Sequence, residues 1–390
     1  MSATVIDVDA VRRRFSSLRA GFAFFDAPGG SQVPDEVGQA IARALAEASG
    51  NLGAPYETGR RVEAILADSR AAAGRFLGCS PDEVVVGANM TTLNFMLTRT
   101  ASRDWQEGDR ILSTRLDHDG NVAPWLELAA DKGLEVDFVD VTGEGRLDLE
   151  DLERKLTDRT RVVSFPAASN AIGTITEARE ICALVHEAGA LSWVDAVHYA
   201  AHEPIDVAAM GCDVLLCSPY KFCGPHLGIA FGRAEVLESW RPYKARPASS
   251  TPLGRRFETG TAPYELLAGL EATIAYLDSL GGMEPIRDYE RELGRRFLEG
   301  LPEGVVLYGP QTMEGRVPTF LLNVVGVPAA TVASTLAERG YGVWAHDNWY
   351  SLGLYKGLGY ENEAVRAGII HYNTAEEVDG LLAELGALVP

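Results

Sequence analysis

An aspartate and a lysine close two consecutive apolar runs of this chain. Trp193-Val194-Asp195-Ala196-Val197-His198 ends the first, and Ser218-Pro219-Tyr220-Lys221-Phe222-Cys223-Gly224-Pro225 follows the second. A lysine beside a core strand is costly to bury as an ammonium, and a Schiff base with a carbonyl compound removes that charge. An aspartate at the neighbouring strand end can keep a ring nitrogen protonated, which is how proteins tune an electron-sink cofactor. A structural ion pair plus a surface lysine uses the same two residues, and spacing alone does not choose. Gly87-Ala88-Asn89-Met90-Thr91-Thr92 turns from an apolar run into a helix start. Backbone N–H groups and hydroxyls there can cradle a phosphate or merely cap the helix. Leu116-Asp117-His118-Asp119 sets an imidazole beyond another run. It can stack on a planar ring or serve as an ordinary structural histidine.

The elements that must position these residues are short apolar runs at 83–87, 110–113, 135–139, 161–165, 190–195, 213–217 and 228–231. They are continuously apolar rather than alternating, as strands covered on both faces are. Amphipathic stretches separate most of them, so an α/β fold with a mainly parallel seven-stranded sheet is expected. Ligands of such sheets sit beyond the carboxyl ends of the strands, where Asp195, Lys221, His118 and the 87–92 turn all fall. Helical patterns cover 34–78, 264–280 and 285–301, and a β-rich and helical tail follows. This divides the chain into a large domain at 20–263 and a smaller α+β domain built from 1–19 and 264–390.

With 390 residues the chain is long enough for two or three domains of about 150 each. Its 46% hydrophobic and 23% charged residues are globular averages, which excludes disordered and collagen-like chains. The net charge of −20 repels phosphate backbones and anionic lipid, so neither nucleic acid nor a membrane surface is an expected partner. No run approaches the roughly 18 apolar residues of a membrane span. The segment Met1–Asp7 has no basic-plus-apolar leader pattern. Five cysteines without a C-x-x-C pair do not make a disulfide framework, and a cytoplasmic location is expected. His198 and His202 are four apart, but without an intervening general-base glutamate or a third ligand no metal is expected. A nucleotide-binding module using the Gly87 turn is disfavoured because no G-x-G-x-x-G follows the first run.

In their order and spacing these motifs resemble the class V aminotransferases, in particular their cysteine desulfurase branch. Those are pyridoxal-phosphate enzymes of the aspartate-aminotransferase-like fold (fold type I). The resemblance runs from Phe25-Asp26-Ala27-Pro28-Gly29-Gly30 to Val365-Arg366-Ala367-Gly368. It implies that Lys221 forms the internal aldimine with pyridoxal phosphate and moves the Cα proton of an amino-acid substrate. It places Asp195 on the pyridine nitrogen, His118 on the ring face, and Asn170 and His198 near the ring oxygen, His198 standing where the family usually has Gln. Met90, Thr91 and Ser218 would hold the phosphate, with Tyr220 in place of a frequent His. Thr261 would reach the cofactor of a neighbouring subunit in a homodimer, and Arg366 would grip the substrate carboxylate.

The resemblance breaks at the thiol. The family's desulfurases carry a sulfur-accepting cysteine on a loop before the Arg366 segment. Here that loop reads Val343-Trp344-Ala345-His346-Asp347-Asn348-Trp349-Tyr350-Ser351, and no cysteine occurs after Cys223. Cys223, two residues past the lysine, reads as buried packing. Asn348 and Tyr350 are instead the loop's candidate substrate-binding residues. The expected reaction is carbon–sulfur cleavage by β-elimination through a quinonoid, on cysteine or an S-substituted cysteine. Desulfuration (or selenocysteine cleavage) to alanine, transamination and epimerisation share the same early chemistry.

Overall fold

A computed structural model describes residues 6–358 and 363–390. Its strands are β1 (Ala23–Phe24), β2 (Val84–Gly87), β3 (Arg110–Thr114), β4 (Glu135–Val139), β5 (Thr160–Pro166), β6 (Leu191–Asp195), β7 (Val214–Cys217) and β8 (Gly228–Gly232). There follow β9 (Val305–Tyr308), β10 (Thr319–Val324), β11 (Tyr341–Gly342), β12 (Trp344–His346) and β13 (Ala364–Gly368). Seven of them form one sheet in the order β2-β8-β7-β6-β5-β3-β4. The five strands from β7 to β4 are mutually parallel, and β8 runs antiparallel to both β7 and β2. The reversed β8 brings its amino end, not its carboxyl end, to the edge where β6 and β7 finish.

Both faces of this sheet are covered, which is why its strands carry side chains such as Val85, Ile111, Val163 and Leu215 at 0% exposure. A second sheet, β12-β13-β10-β9, is antiparallel and belongs to the C-terminal part. Its core joins Phe297, Phe320, Leu336 and Leu381.

Three features differ from the sequence reading. The helical pattern at 34–78 is two helices, Asp35–Glu47 and Glu57–Leu77, because Gly50, Gly53 and Pro55 fall between them. Ala23–Phe24, placed by sequence in the large domain, pair with Tyr341–Gly342, and Gly368 donates its N–H to Phe25. The chain therefore crosses to the large sheet only after this point. Helix Tyr264–Ser279, assigned to the small domain, packs on helices Asp35–Glu47 and Glu57–Leu77 through Leu267, Leu270 and Ile274, which join the large core. Those two helices have apolar faces to bury, and residues 264–279 supply the cover. Residues 1–5 of the expected small domain lie outside the described residues.

Candidate active site

The carboxyl ends of β5, β6 and β7 open onto a cavity of about 740 Å³, within the size range of small-molecule sites. Lys221 sits in the short turn Pro219–Lys221 between β7 and β8. Its Nζ donates to the carbonyl oxygens of Pro28 and, at 3.1 Å, Gly29. The side chain keeps some surface along the cavity, but its amine is enclosed. Burial, followed by the nearby Arg366 guanidinium, lowers the amine to about 7, with Asp195 opposing the shift. Such an amine is largely neutral just above neutrality and hence nucleophilic.

Asp195 ends β6 and is 5% exposed. Its Oδ1 accepts from the Val197 N–H at 2.8 Å. Burial raises its carboxyl to about 6, held from going higher by that N–H and by Lys221. His118 caps helix Asp119–Lys132, its Nδ1 accepting from the Gly120 N–H at 2.9 Å, so the neutral ring carries its proton on Nε2. Burial, then the charges of Lys221 and Arg366, push it down to about 3. Asp117 anchors this turn by accepting from Asn121 Nδ2 and Thr114 Oγ1.

The start of helix Met90–Ala101 forms the opposite wall. Asn89 caps it by accepting from the Thr92 N–H, and the Met90 N–H donates to Ser218 Oγ at 3.0 Å. The two main chains meet so closely that a Cβ on Gly228 would lie 2.4 Å from the Asn89 carbonyl carbon. Only glycine fits there. A Cβ on Gly120 would likewise come within 2.9 Å of Thr91 Oγ1 and 3.0 Å of His118 Nδ1. Glycine thus keeps open the space between the helix start and the imidazole. Amine, carboxylate, imidazole face and helix N-terminus share one cavity, a donor set that fits pyridoxal phosphate.

The C-terminal part closes the cavity. Arg366, in β13 and 6% exposed, donates to the Asn170 carbonyl oxygen at 2.8 Å and lies over the Trp349 ring at 3.9 Å. Asn170 lines the cavity, and its amide also ties the 343–351 loop, donating to the Trp349 carbonyl and accepting from Ser351 Oγ, both at 2.8 Å. Tyr350 lines the mouth, 59% exposed, and its ring stacks on His118 with centroids 5.3 Å apart. Asn348 does not line the cavity; its side chain accepts from the Tyr350 N–H and shapes the turn. Trp349 and Tyr350 both have left-handed backbones, φ 54° and 56°, a strained conformation for aromatic residues.

His198 lines the cavity, buried, with Nε2 at 2.8 Å from Thr319 Oγ1. Tyr220 contributes its ring, stacked on His226 at 5.1 Å and 4.7 Å from Lys221 Nζ. Thr261 is exposed and lies outside the cavity of its own chain. Sequence reasoning missed Pro28 and Gly29, whose Pro-Gly-Gly turn was the available signal, and His226 and Trp344. His226 precedes β8, and a reversed strand was needed to bring it here. A second opening of about 750 Å³ lies farther along helix Met90–Ala101 near Arg99 and Arg241, but it holds none of the strand-end residues. Among the described residues no group of His, Cys, Asp and Glu is arranged to hold a metal, and no helix is long and apolar enough to cross a membrane.

Similarity to known proteins agrees with this geometry. The family model for aminotransferase class V matches residues 23–381. An aminotransferase-like protein FGM3 of Gibberella zeae is 32% identical, with 99% of each chain covered. A probable cysteine desulfurase 2 of Mycobacterium leprae is also 32% identical, covering 98% of this chain and 97% of its own. The apo structure of a cysteine desulfurase from Thermococcus onnurineus superposes with a TM-score of 0.93 at 28% identity, covering 100% of this chain and 99% of that one. A strand-end lysine and aspartate, an imidazole wall and a match along nearly the whole length have one common explanation: the chain belongs to the class V aminotransferase family, whose members are pyridoxal-phosphate-dependent enzymes.

Proposed function

We propose that the protein cleaves the Cβ–S bond of cysteine or an S-substituted cysteine by β-elimination, consuming one water and giving a thiol, pyruvate and ammonia. The observation that carries this reading is a cavity lined by Lys221, Asp195, His118 and Arg366 but by no thiol. None of the five cysteines lines it. Cys223 is fully buried, its thiol pushed up to about 12 by burial. Such a thiol is a poor sulfur acceptor.

Pyridoxal phosphate, when bound, withdraws electrons from the Cα of an amino acid joined to it. Lys221 is the residue that would hold it and whose neutral amine would take the Cα proton. Asp195, ionised above about pH 6, holds a positive ring nitrogen. His118 stays neutral and offers its face. The helix start at Met90 and Thr91, with Ser218, receives the phosphate. Arg366 presents a planar fork to the substrate carboxylate, fixing the Cα–H towards Lys221. The Cβ–S bond would then break with the sulfur leaving as a thiolate, which takes a proton from water to give the thiol at the cavity mouth lined by His346 and Tyr350. A cytoplasmic homodimer, with Thr261 reaching the neighbouring site, completes the proposal, together with a large domain at 20–263 and a small one of 1–19 plus 264–390 that lends strand pairing to Ala23–Phe24 and sends helix Tyr264–Ser279 back onto the large core.

Product analysis of the cofactor-loaded protein with cysteine and S-substituted cysteines tests the reaction. Pyruvate with equimolar ammonia and thiol is expected. Alanine as the sole carbon product would replace this reading with desulfuration, the activity named for several relatives.

A further inference from the structure

A second cluster of titratable groups lies behind the cavity wall, unused by the proposed chemistry. His202 Nδ1 is 2.6 Å from Glu290 Oε2, and the residues are 2% and 0% exposed. The other oxygen, Oε1, accepts from the His371 N–H at 2.9 Å and faces His371 Nδ1 at 3.4 Å. His371 Nε2 in turn meets the Tyr276 hydroxyl at 2.7 Å. On the cavity side, the His202 and His198 rings are 5.1 Å apart, edge to face at 72°. His198, its Nε2 on Thr319, is therefore the only ring between this cluster and the cavity among these five residues.

Among the described residues no lysine or arginine pairs with the Glu290 carboxylate; imidazoles do. A buried pair of this kind gains less stability than apolar packing would, so a role in setting charge is a better account than stability alone. We propose that His202 and Glu290 form a buried imidazolium–carboxylate pair that fixes the charge felt by His198 and by a cofactor bound against it. Glu290 is then a positioning residue, acting through His202. Burial alone would raise the Glu290 carboxyl, but His202 and His371 outweigh it and hold it below the usual range. His198 is driven well below its ordinary value by burial and then by His202, which keeps it neutral. Lys221, Arg366 and His118 are the other charged or titratable groups acting on His198, Asp195 acts on Lys221, Glu203 (paired with Arg291 at 2.7 Å) acts on His202, and Cys223 and Tyr289 lie beyond Glu290.

The imidazolium is the nearer of the pair's two charges to the cavity, so it favours loss of protons there. Removing it raises the pH at which a cavity group deprotonates. The inference rests on the pyridoxal-phosphate reading, and the test separates the two. The loaded protein is titrated by its visible absorbance, with Lys221→Ala as the control that must lose the band. His202→Gln removes the imidazolium, and Glu290→Gln removes the carboxylate that keeps His202 protonated, leaving a neutral imidazole; both are expected to move the titration midpoint upward, by about one pH unit for His202→Gln and less for Glu290→Gln. His371→Gln, on the far side of Glu290, is expected to lower the melting temperature with little movement of the midpoint. If Glu290→Gln does not fold, His202→Gln alone decides. An unmoved midpoint in variants that still bind the cofactor overturns the charge-setting role and leaves the pair structural. A wild-type protein with no Lys221-dependent band overturns the cofactor reading, and this inference with it.

Discussion

Two buried cations of this protein are held in opposite ways. Arg70, 4% exposed, meets the Glu258 carboxylate, which also accepts from the Val86 N–H at 3.0 Å. Lys221 has two backbone carbonyls as hydrogen-bond partners, and its nearest acid influence, Asp195, is outweighed by burial and Arg366. The first is a charge-paired structural interaction that ties helix Glu57–Leu77 to Glu258 and, through a second guanidinium N–H, to the Val84 carbonyl oxygen. The second is an amine kept in an energetically unfavourable state, which reads as readiness for a ligand rather than as stabilisation.

Several substitutions bear on that contrast. The largest effect is expected from Lys221→Ala, which should abolish the borohydride-trappable adduct and lower turnover by about 10³-fold or more. A variant that still trapped a lysine adduct would place the reactive amine elsewhere. Arg70→Met leaves a buried carboxylate without its cation, and urea unfolding should show a loss of about 3–5 kcal/mol. A negligible loss would remove the distinction between the two sites. Arg366→Lys keeps the charge but not the fork, and KM for the amino acid should rise about 10- to 100-fold with cofactor affinity nearly unchanged.

Linkage makes the lysine's state measurable without turnover. Its folded value, about 7, lies below the ordinary 10.5, so between these pH values the unfolded chain binds more protons and stability rises with pH. The cofactor-free Lys221→Met variant should therefore be more stable than wild type below about pH 7, and the advantage should shrink towards pH 10.5. Melting curves of the two proteins across that window would show a constant difference if the amine were unperturbed. Smallest is Tyr350→Ala, which removes the stack on His118 and should cost about threefold in kcat/KM.

The residues legible in sequence were those whose position follows from a strand end. Asp195, Lys221, His118 and the Asn89–Thr91 turn all lie where an apolar run stops, and a parallel sheet gathers such ends on one edge. What stayed hidden depends on tertiary geometry. His226 needed the reversal of β8, Pro28 and Gly29 needed a crossing from the C-terminal sheet, and the commitment of the Asn170 amide to the Trp349 carbonyl and the Ser351 hydroxyl needed the loop's actual path. Asn348 is polar and beside Tyr350, but its side-chain oxygen accepts from the Tyr350 N–H in the local turn and it does not line the cavity. That helix Tyr264–Ser279 packs into the large core was also hidden, because an apolar helix does not announce which core it covers.

The reversal of β8 has one more effect. Most loops at this sheet edge lead away into a helix, so they are fastened to the sheet at one end. The Lys221 segment is fastened at both, since β7 and β8 are hydrogen-bonded neighbours and the residues between them form a closed strap. Its amides should exchange with solvent almost as slowly as those of the strands, with or without cofactor. A protein built this way can lose its prosthetic group and take it back without rebuilding the receptor.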